Sequence, residues 1–172
     1  IYWDATGQRF RRWWAREGLL LGMWGAPPAA GAPHAELAAP PPPATPRDSY
    51  CEPEMRARRW RHRLAHSDFP LDTLPLAGAD LGPGSLALYL GCEPGFAEDT
   101  VWFEPCWREQ LDPSAIPPVR FDPDNRWWRL TEDSLRASVE LAGDDYLVGC
   151  PDLVEGIDIL AALRDPQTLL MD

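Results

Sequence analysis

Two aspartates that recur in the same local setting are the residues of this chain best placed to do chemistry. Asp80 sits in the run Leu74-Pro75-Leu76-Ala77-Gly78-Ala79-Asp80-Leu81-Gly82-Pro83-Gly84, and Asp152 in Tyr146-Leu147-Val148-Gly149-Cys150-Pro151-Asp152-Leu153-Val154-Glu155-Gly156. Each follows a short apolar run, opens an Asp-Leu-x-x-Gly unit and precedes an apolar pattern of helical spacing. A short apolar run without alternation reads as a strand covered on both faces, so both carboxylates fall where a strand ends and a helix begins. In parallel α/β folds that junction is the rim where ligands bind. Asp is also a favoured helix cap, because its carboxylate accepts free backbone N–H groups. Both readings remain open for each residue, and the repetition itself points to a repeating βα architecture.

Other groups with chemical potential have plainer readings. His62 and His66 lie four apart on a helical segment, a spacing that can chelate a metal. They stand among Arg56, Arg58, Arg59, Arg61 and Arg63, and position 63 is Arg where an HExxH pattern would not allow it. The reading is therefore a solvated or anion-facing surface with no metal. Cys51, Cys92, Cys106 and Cys150 form no C-x-x-C pair, which suits the reduced thiols of a cytoplasmic protein. The net charge of −11 excludes a general binder of nucleic-acid backbones. No apolar run approaches the roughly 20 residues of a membrane span, and the opening Ile1-Tyr2-Trp3-Asp4 carries no signal-peptide pattern.

The elements that must position these groups follow from periodicity and punctuation. Residues 8–18 read as a helix carrying Phe10, Trp13 and Trp14, and residues 19–24 as a first buried strand. Residues 26–46 are rich in Ala and Pro and read as an extended surface loop containing His34. Pro53 opens a helix to about Ala65, with Ala57, Trp60 and Leu64 on its buried stripe and the arginines on its other faces. A helix over 84–90 follows the first Asp unit, and Glu98 to Pro105 reads as a short strand or extended segment that Pro105 closes. Asn125 caps a helix with Trp128, Leu135, Val139 and Ala142 on one face, ended by Gly143. Residues 146–150 read as a strand, 155–163 as a helix, and Asp165-Pro166 starts another. This order predicts an α/β fold with a parallel sheet.

At Asp80-Leu81-Gly82-Pro83-Gly84, Thr100-Val101-Trp102-Phe103-Glu104-Pro105, Asp122-Pro123-Asp124-Asn125-Arg126-Trp127-Trp128 and Val148 through Arg164, the chain resembles bacterial members of the uroporphyrinogen decarboxylase-like superfamily, which also holds corrinoid methyltransferases. The resemblance implies a single incomplete domain over residues 1–172: a partial (β/α)8 TIM barrel, roughly its first half, with an N-terminal helix and a Pro-rich loop. Such a barrel usually needs about 250 residues, so an internal piece of a longer chain is expected. The implied activity is decarboxylation or methyl transfer on a tetrapyrrole-like or methyl-carrying small molecule. Asp80 matches the carboxylate that faces the tetrapyrrole centre, with Asp72 the second match; Trp24 and Asp152 would line the site. That carboxylate would stabilise the positive charge on a protonated pyrrole.

The chain departs from the pattern where decarboxylases carry Arg-Gln-Ala-Gly-Arg, for Met23-Trp24-Gly25-Ala26-Pro27-Pro28 holds no Arg. The methyltransferase branch implies a corrinoid protein as partner and a zinc held by His and Cys ligands, which the resemblance places beyond Asp172; this segment itself carries no cofactor. Two further readings stand beside the enzyme. One is a non-catalytic barrel whose nine tryptophans build an aromatic pocket for a flat ligand. The other is an inactive fragment.

Overall fold

The computed structural model describes residues 3–23, 25–29, 37–108, 112–116, 118–153 and 156–172. In chain order these form α1 (Trp3–Trp14), α2 (Pro46–Cys51), α3 (Pro53–Ala65), β1 (Leu76–Ala77), α4 (Leu86–Tyr89), β2 (Glu93–Phe96), β3 (Val101–Glu104), a 3-10 turn (Pro113–Ala115), α5 (Arg126–Ala142), β4 (Leu147–Val148), α6 (Gly156–Arg164) and α7 (Pro166–Met171). Trp24 and His34 lie outside the described residues. Caps decide where several helices start. Thr45 and Asp48 form a reciprocal capping box before Pro46, and the Asn125 side chain accepts from the Trp127 and Trp128 N–H groups at 2.9 and 3.1 Å. Among the described residues no helix is long and apolar enough to cross a membrane.

The strands correct the expected architecture. β1 pairs with β4 in parallel, Leu76 opposite Leu147 and Ala77 opposite Val148, while β2 and β3 form a separate antiparallel hairpin. The chain is thus a small α/β fold with four short strands in two two-stranded sheets among its described residues, and not the first half of a (β/α)8 barrel. A barrel runs its successive strands parallel around one axis. Here the strands after β1 turn back on each other, closed by the Ala97 N–H donating to Thr100 O at 2.9 Å. Gly95 makes room in that hairpin, because a Cβ there would overlap the Trp102 indole opposite.

The run expected as a first buried strand forms none over 19–23, and Leu19 is 83% exposed. Polar side chains hold it instead. The Leu21 N–H donates to the Asp72 carboxylate at 2.9 Å and the Met23 N–H to Thr73 Oγ1 at 2.8 Å, while the Asp72 N–H returns a bond to Leu21 O at 2.7 Å. A carboxylate and a hydroxyl supply acceptors that a neighbouring strand would otherwise provide.

Two apolar clusters hold the elements together. Leu81, Leu88, Tyr89, Cys92, Trp127, Ile159 and Leu163 gather between α4, α5 and α6, and Leu64, Ala77, Ala142 and Tyr146 cover one side of the β1–β4 pair. Each fully buried leucine here stabilises the fold by roughly 1.5–3 kcal/mol. Helix α5 keeps its expected limits but turns a different face inward: Trp127, Thr131, Ser134, Ser138 and Ala142 are buried and Val139 is 61% exposed. The buried face is mostly small, which lets α5 pack along α3. Thr131 Oγ1 donates to Trp127 O at 2.9 Å, so the Tyr89 hydroxyl must be the donor in its 2.8 Å bond to Thr131.

On this face the Ser134 hydroxyl and the Trp127 Nε1 are both buried with no hydrogen-bond partner among the described residues. Ser134→Ala is expected to raise the unfolding free energy by roughly 1 kcal/mol, since a buried unpaired hydroxyl is a cost in the folded state. Urea unfolding would read this as a higher midpoint at unchanged slope, and a lower midpoint would show that the hydroxyl is satisfied.

Candidate functional site

The two Asp-Leu-x-x-Gly units lie side by side and run in the same direction. The Leu147 N–H donates to Pro75 O and the Gly149 N–H to Ala77 O, both at 2.9 Å, as a parallel ladder requires. The next rung is a side chain: the Asp152 N–H donates to Asp80 Oδ1. Both aspartates therefore meet at the carboxyl end of one strand pair. A Cβ at Gly78 would stand 3.3 Å from the Trp60 ring, tighter than ordinary contact, so glycine lets α3 close on β1 there. Asp80 does accept a backbone N–H, as a capping residue would, but from the other unit. No side chain caps the start of α4, which follows Ser85.

Beneath Asp80 lies Arg56, 9% exposed, with Nη1 donating to Ala79 O at 3.3 Å and Nη2 to Asp80 O. Burial lowers the pKa of Arg56, and the Asp80 charge works against that shift. Tyr89 is on the same side. Burial raises its phenol pKa, the Thr131 bond opposes this, and the Asp80 charge adds to the rise. A guanidinium and a phenol thus share the field of one carboxylate.

The loop after Asp80 is fixed from within. The Leu81 N–H donates to Ser85 Oγ at 3.0 Å, and that hydroxyl donates to Gly82 O at 2.8 Å. Gly82 has φ +113°, and a Cβ there would sit 2.9 Å from Val101 Cβ. Gly84, at φ +73°, faces Ile159 and Phe103. Only glycine meets both demands at position 82. A carboxylate held this firmly can stabilise positive charge developing on a molecule bound at the strand ends.

The remaining sequence-derived residues are placed differently. Asp72 anchors α1 and the 19–23 segment: its carboxylate accepts from the Leu21 N–H and from Arg9 Nε, and these two groups hold its pKa below the ordinary carboxylate range, the Leu21 amide being the larger cause. Trp24 lies outside the described residues. His62 and His66 stack with ring centroids 4.2 Å apart, and His66 Nδ1 is 2.8 Å from His62 O. Among the described residues no group of three His, Cys, Asp or Glu side chains is arranged to hold a metal. His62, Arg58, Arg61, Leu141 and Pro40 line a separate hollow of about 290 Å³ whose charge suits an anion. Among the described residues Trp13 and Trp14 meet edge to face with ring centroids 5.1 Å apart and line a surface hollow, whereas Trp127 is buried against Phe96, Trp128 edges onto Tyr89, Trp60 covers Gly78 and Trp102 crosses Gly95.

Arg56 is the site residue that sequence reasoning missed, by assigning it to an outer face. A signal was present, because Arg56, Trp60 and Leu64 are spaced by four and form one stripe of α3. Ser85 was read only as part of the helix over 84–90. No protein-family profile, curated protein or solved structure matches the chain.

Replacing Arg56 with Met would leave two loop carbonyls without their buried donor. The expected loss is about 3 kcal/mol of unfolding free energy, measured by chemical denaturation; an unchanged midpoint would show that the guanidinium is dispensable there. The Asp72 bonds predict an acid dependence. Its folded carboxyl has the lower pKa, so the bonds contribute fully above the unfolded value and are lost as pH falls through the folded one. Asp72→Asn should therefore weaken the chain at neutral pH and flatten its stability profile on acidification, in thermal melts recorded from neutral pH downward. An identical slope in both proteins would contradict this.

Proposed function

We propose that the chain is an enzyme of the uroporphyrinogen decarboxylase-like kind, acting on a tetrapyrrole-like or methyl-carrying small molecule by decarboxylation or methyl transfer. Asp80 is the catalytic carboxylate, and Asp152 borders the same site. The observation that supports this reading is the rung itself: two look-alike units bring both aspartates to the carboxyl end of one parallel strand pair, the edge where α/β folds bind ligands. There the Asp80 carboxylate would offset positive charge on a protonated pyrrole or an activated methyl carrier, oriented by the Asp152 amide so that it need not reorganise. Asp72 is left out of this role, its carboxylate being engaged by Arg9 and Leu21. The setting is cytoplasmic, in keeping with four free thiols. A corrinoid protein and zinc belong only to the methyl-transfer form of the proposal.

A second reading, small-molecule binding without chemistry, is favoured by the same bond, because it already gives the Asp80 carboxylate a structural duty. Asp80→Asn separates the two. The amide oxygen can still accept from Asp152, so the fold should persist by circular dichroism and thermal melting. Turnover of tetrapyrrole carboxylates or methylated corrinoids should fall by at least roughly a hundredfold, the scale of removing one electrostatic stabiliser. Undiminished turnover would remove Asp80 from the mechanism. Tryptophan fluorescence that responds to these compounds without product formation in either protein would establish the binding reading.

A further inference from the structure

Two thiols that the sequence separates by 14 residues meet at the open end of the β2–β3 hairpin. Cys92 immediately precedes β2 and Cys106 follows β3 by two residues, and in the antiparallel register Glu93 pairs with Glu104 between them. Their sulfurs stand 3.8 Å apart, with Cys92 placed to donate to Cys106. The two differ in access: Cys92 is 1% exposed, with its sulfur also 3.5 Å from Ala162 O, whereas Cys106 is exposed to solvent. Closing a bond of about 2.04 Å needs a shift of under 2 Å between the sulfurs, within the reach of a side-chain rotation at exposed Cys106.

We propose that Cys92 and Cys106 are a redox-responsive pair that closes to an intramolecular disulfide on meeting a low-molecular-weight disulfide, with Cys106 reacting first and Cys92 resolving. The thiolate of Cys106 attacks one sulfur of the oxidant R–S–S–R, forming a Cys106–S–S–R bond and expelling one R–S⁻. Cys92 then attacks the Cys106 sulfur, its proton passing to a departing thiolate, and the second R–S⁻ leaves. In balance, two protein thiols are oxidised to one disulfide, and one external disulfide is reduced to two thiols. The order follows from access, and the chemistry of the buried partner agrees with it. Burial is the main reason that the Cys92 thiol is pushed up to about 12, so Cys92 is a poor first nucleophile and serves only once a disulfide lies beside it.

The bond would matter beyond the hairpin. Val101 and Phe103 of β3 press on Gly82 and Gly84, so the hairpin that it ties is the wall behind the Asp80 loop. The inference does not depend on the function proposed above.

The test incubates the whole chain with oxidised glutathione, quenches with acid, and reads intact mass and mapped peptides. The expected product links the Cys92 and Cys106 peptides with the loss of two hydrogens, and is reversed by excess reduced glutathione. Cys92→Ser should instead accumulate a stable glutathione adduct at Cys106. The surface variant Cys106→Ser, which spares the core, should leave Cys92 unmodified while exposed Cys150 still reacts. A persistent glutathione adduct on Cys106 of the unaltered chain, or no modification at Cys106 while Cys150 reacts, would overturn the proposal. So would modification of Cys92 in Cys106→Ser.

Discussion

The Asp152 amide donates to the Asp80 carboxylate, and this bond joins segments 72 residues apart. Its weight comes from how little backbone pairing surrounds it. β1 and β4 are two residues long, and a parallel pair of that length supplies few bonds of its own. A charged acceptor makes a stronger rung than a neutral carbonyl, and it extends the pairing past the point where both backbones turn away. What packs around it depends on that register. Ala77 seats against Leu64, Ala142 and Tyr146, and the loop after Asp80 passes between Val101 and Ile159 only if the strand end is fixed.

Side chains standing in for backbone recur throughout the molecule. Asp72 and Thr73 hold the 19–23 segment, Arg56 takes up the carbonyls of Ala79 and Asp80, and Asn125 reaches Leu88 O at 3.0 Å while capping α5. Likewise Arg164, 2% exposed, donates to Trp107 O at 2.8 Å and pairs with Asp172. A fold with so little regular sheet must satisfy its turns by such means, because buried backbone groups are costly when unpaired. Two of these arginines are almost fully buried, which explains why charge at their positions belongs to the architecture.

Much of this was legible in the residues and some was not, for physical reasons. The helices opened by Pro53 and Asn125 stand where those residues put them, since a proline at the first turn and an amide cap act locally. The likeness of the two Asp units did correspond to adjacent parallel strands. The barrel expectation, which the resemblance carried, fails because β2 and β3 pair as an antiparallel hairpin, and the strand expected over 19–24 fails because Leu19 to Met23 is not covered. β2 was missed because Glu93-Pro94-Gly95-Phe96 has poor intrinsic strand preference and depends on Trp102 across from it. The inward face of α5 was misread because hydrophobicity favoured Val139, whereas close approach to α3 favoured Ser and Thr. The Cys92–Cys106 pairing is a consequence of hairpin register, which no spacing rule reveals.

The central claim is that the Asp80 carboxylate binds the Asp152 N–H and so couples the two units. Hydrogen exchange at the Asp152 amide, followed by NMR in the natural chain and in Asp80→Ala, tests it most directly. The account expects a protected amide in the natural chain, and exchange about tenfold faster or more once the carboxylate is gone, as loss of a charged acceptor implies. Equal exchange at Asp152 in both proteins, with the remaining amides unchanged, would contradict it.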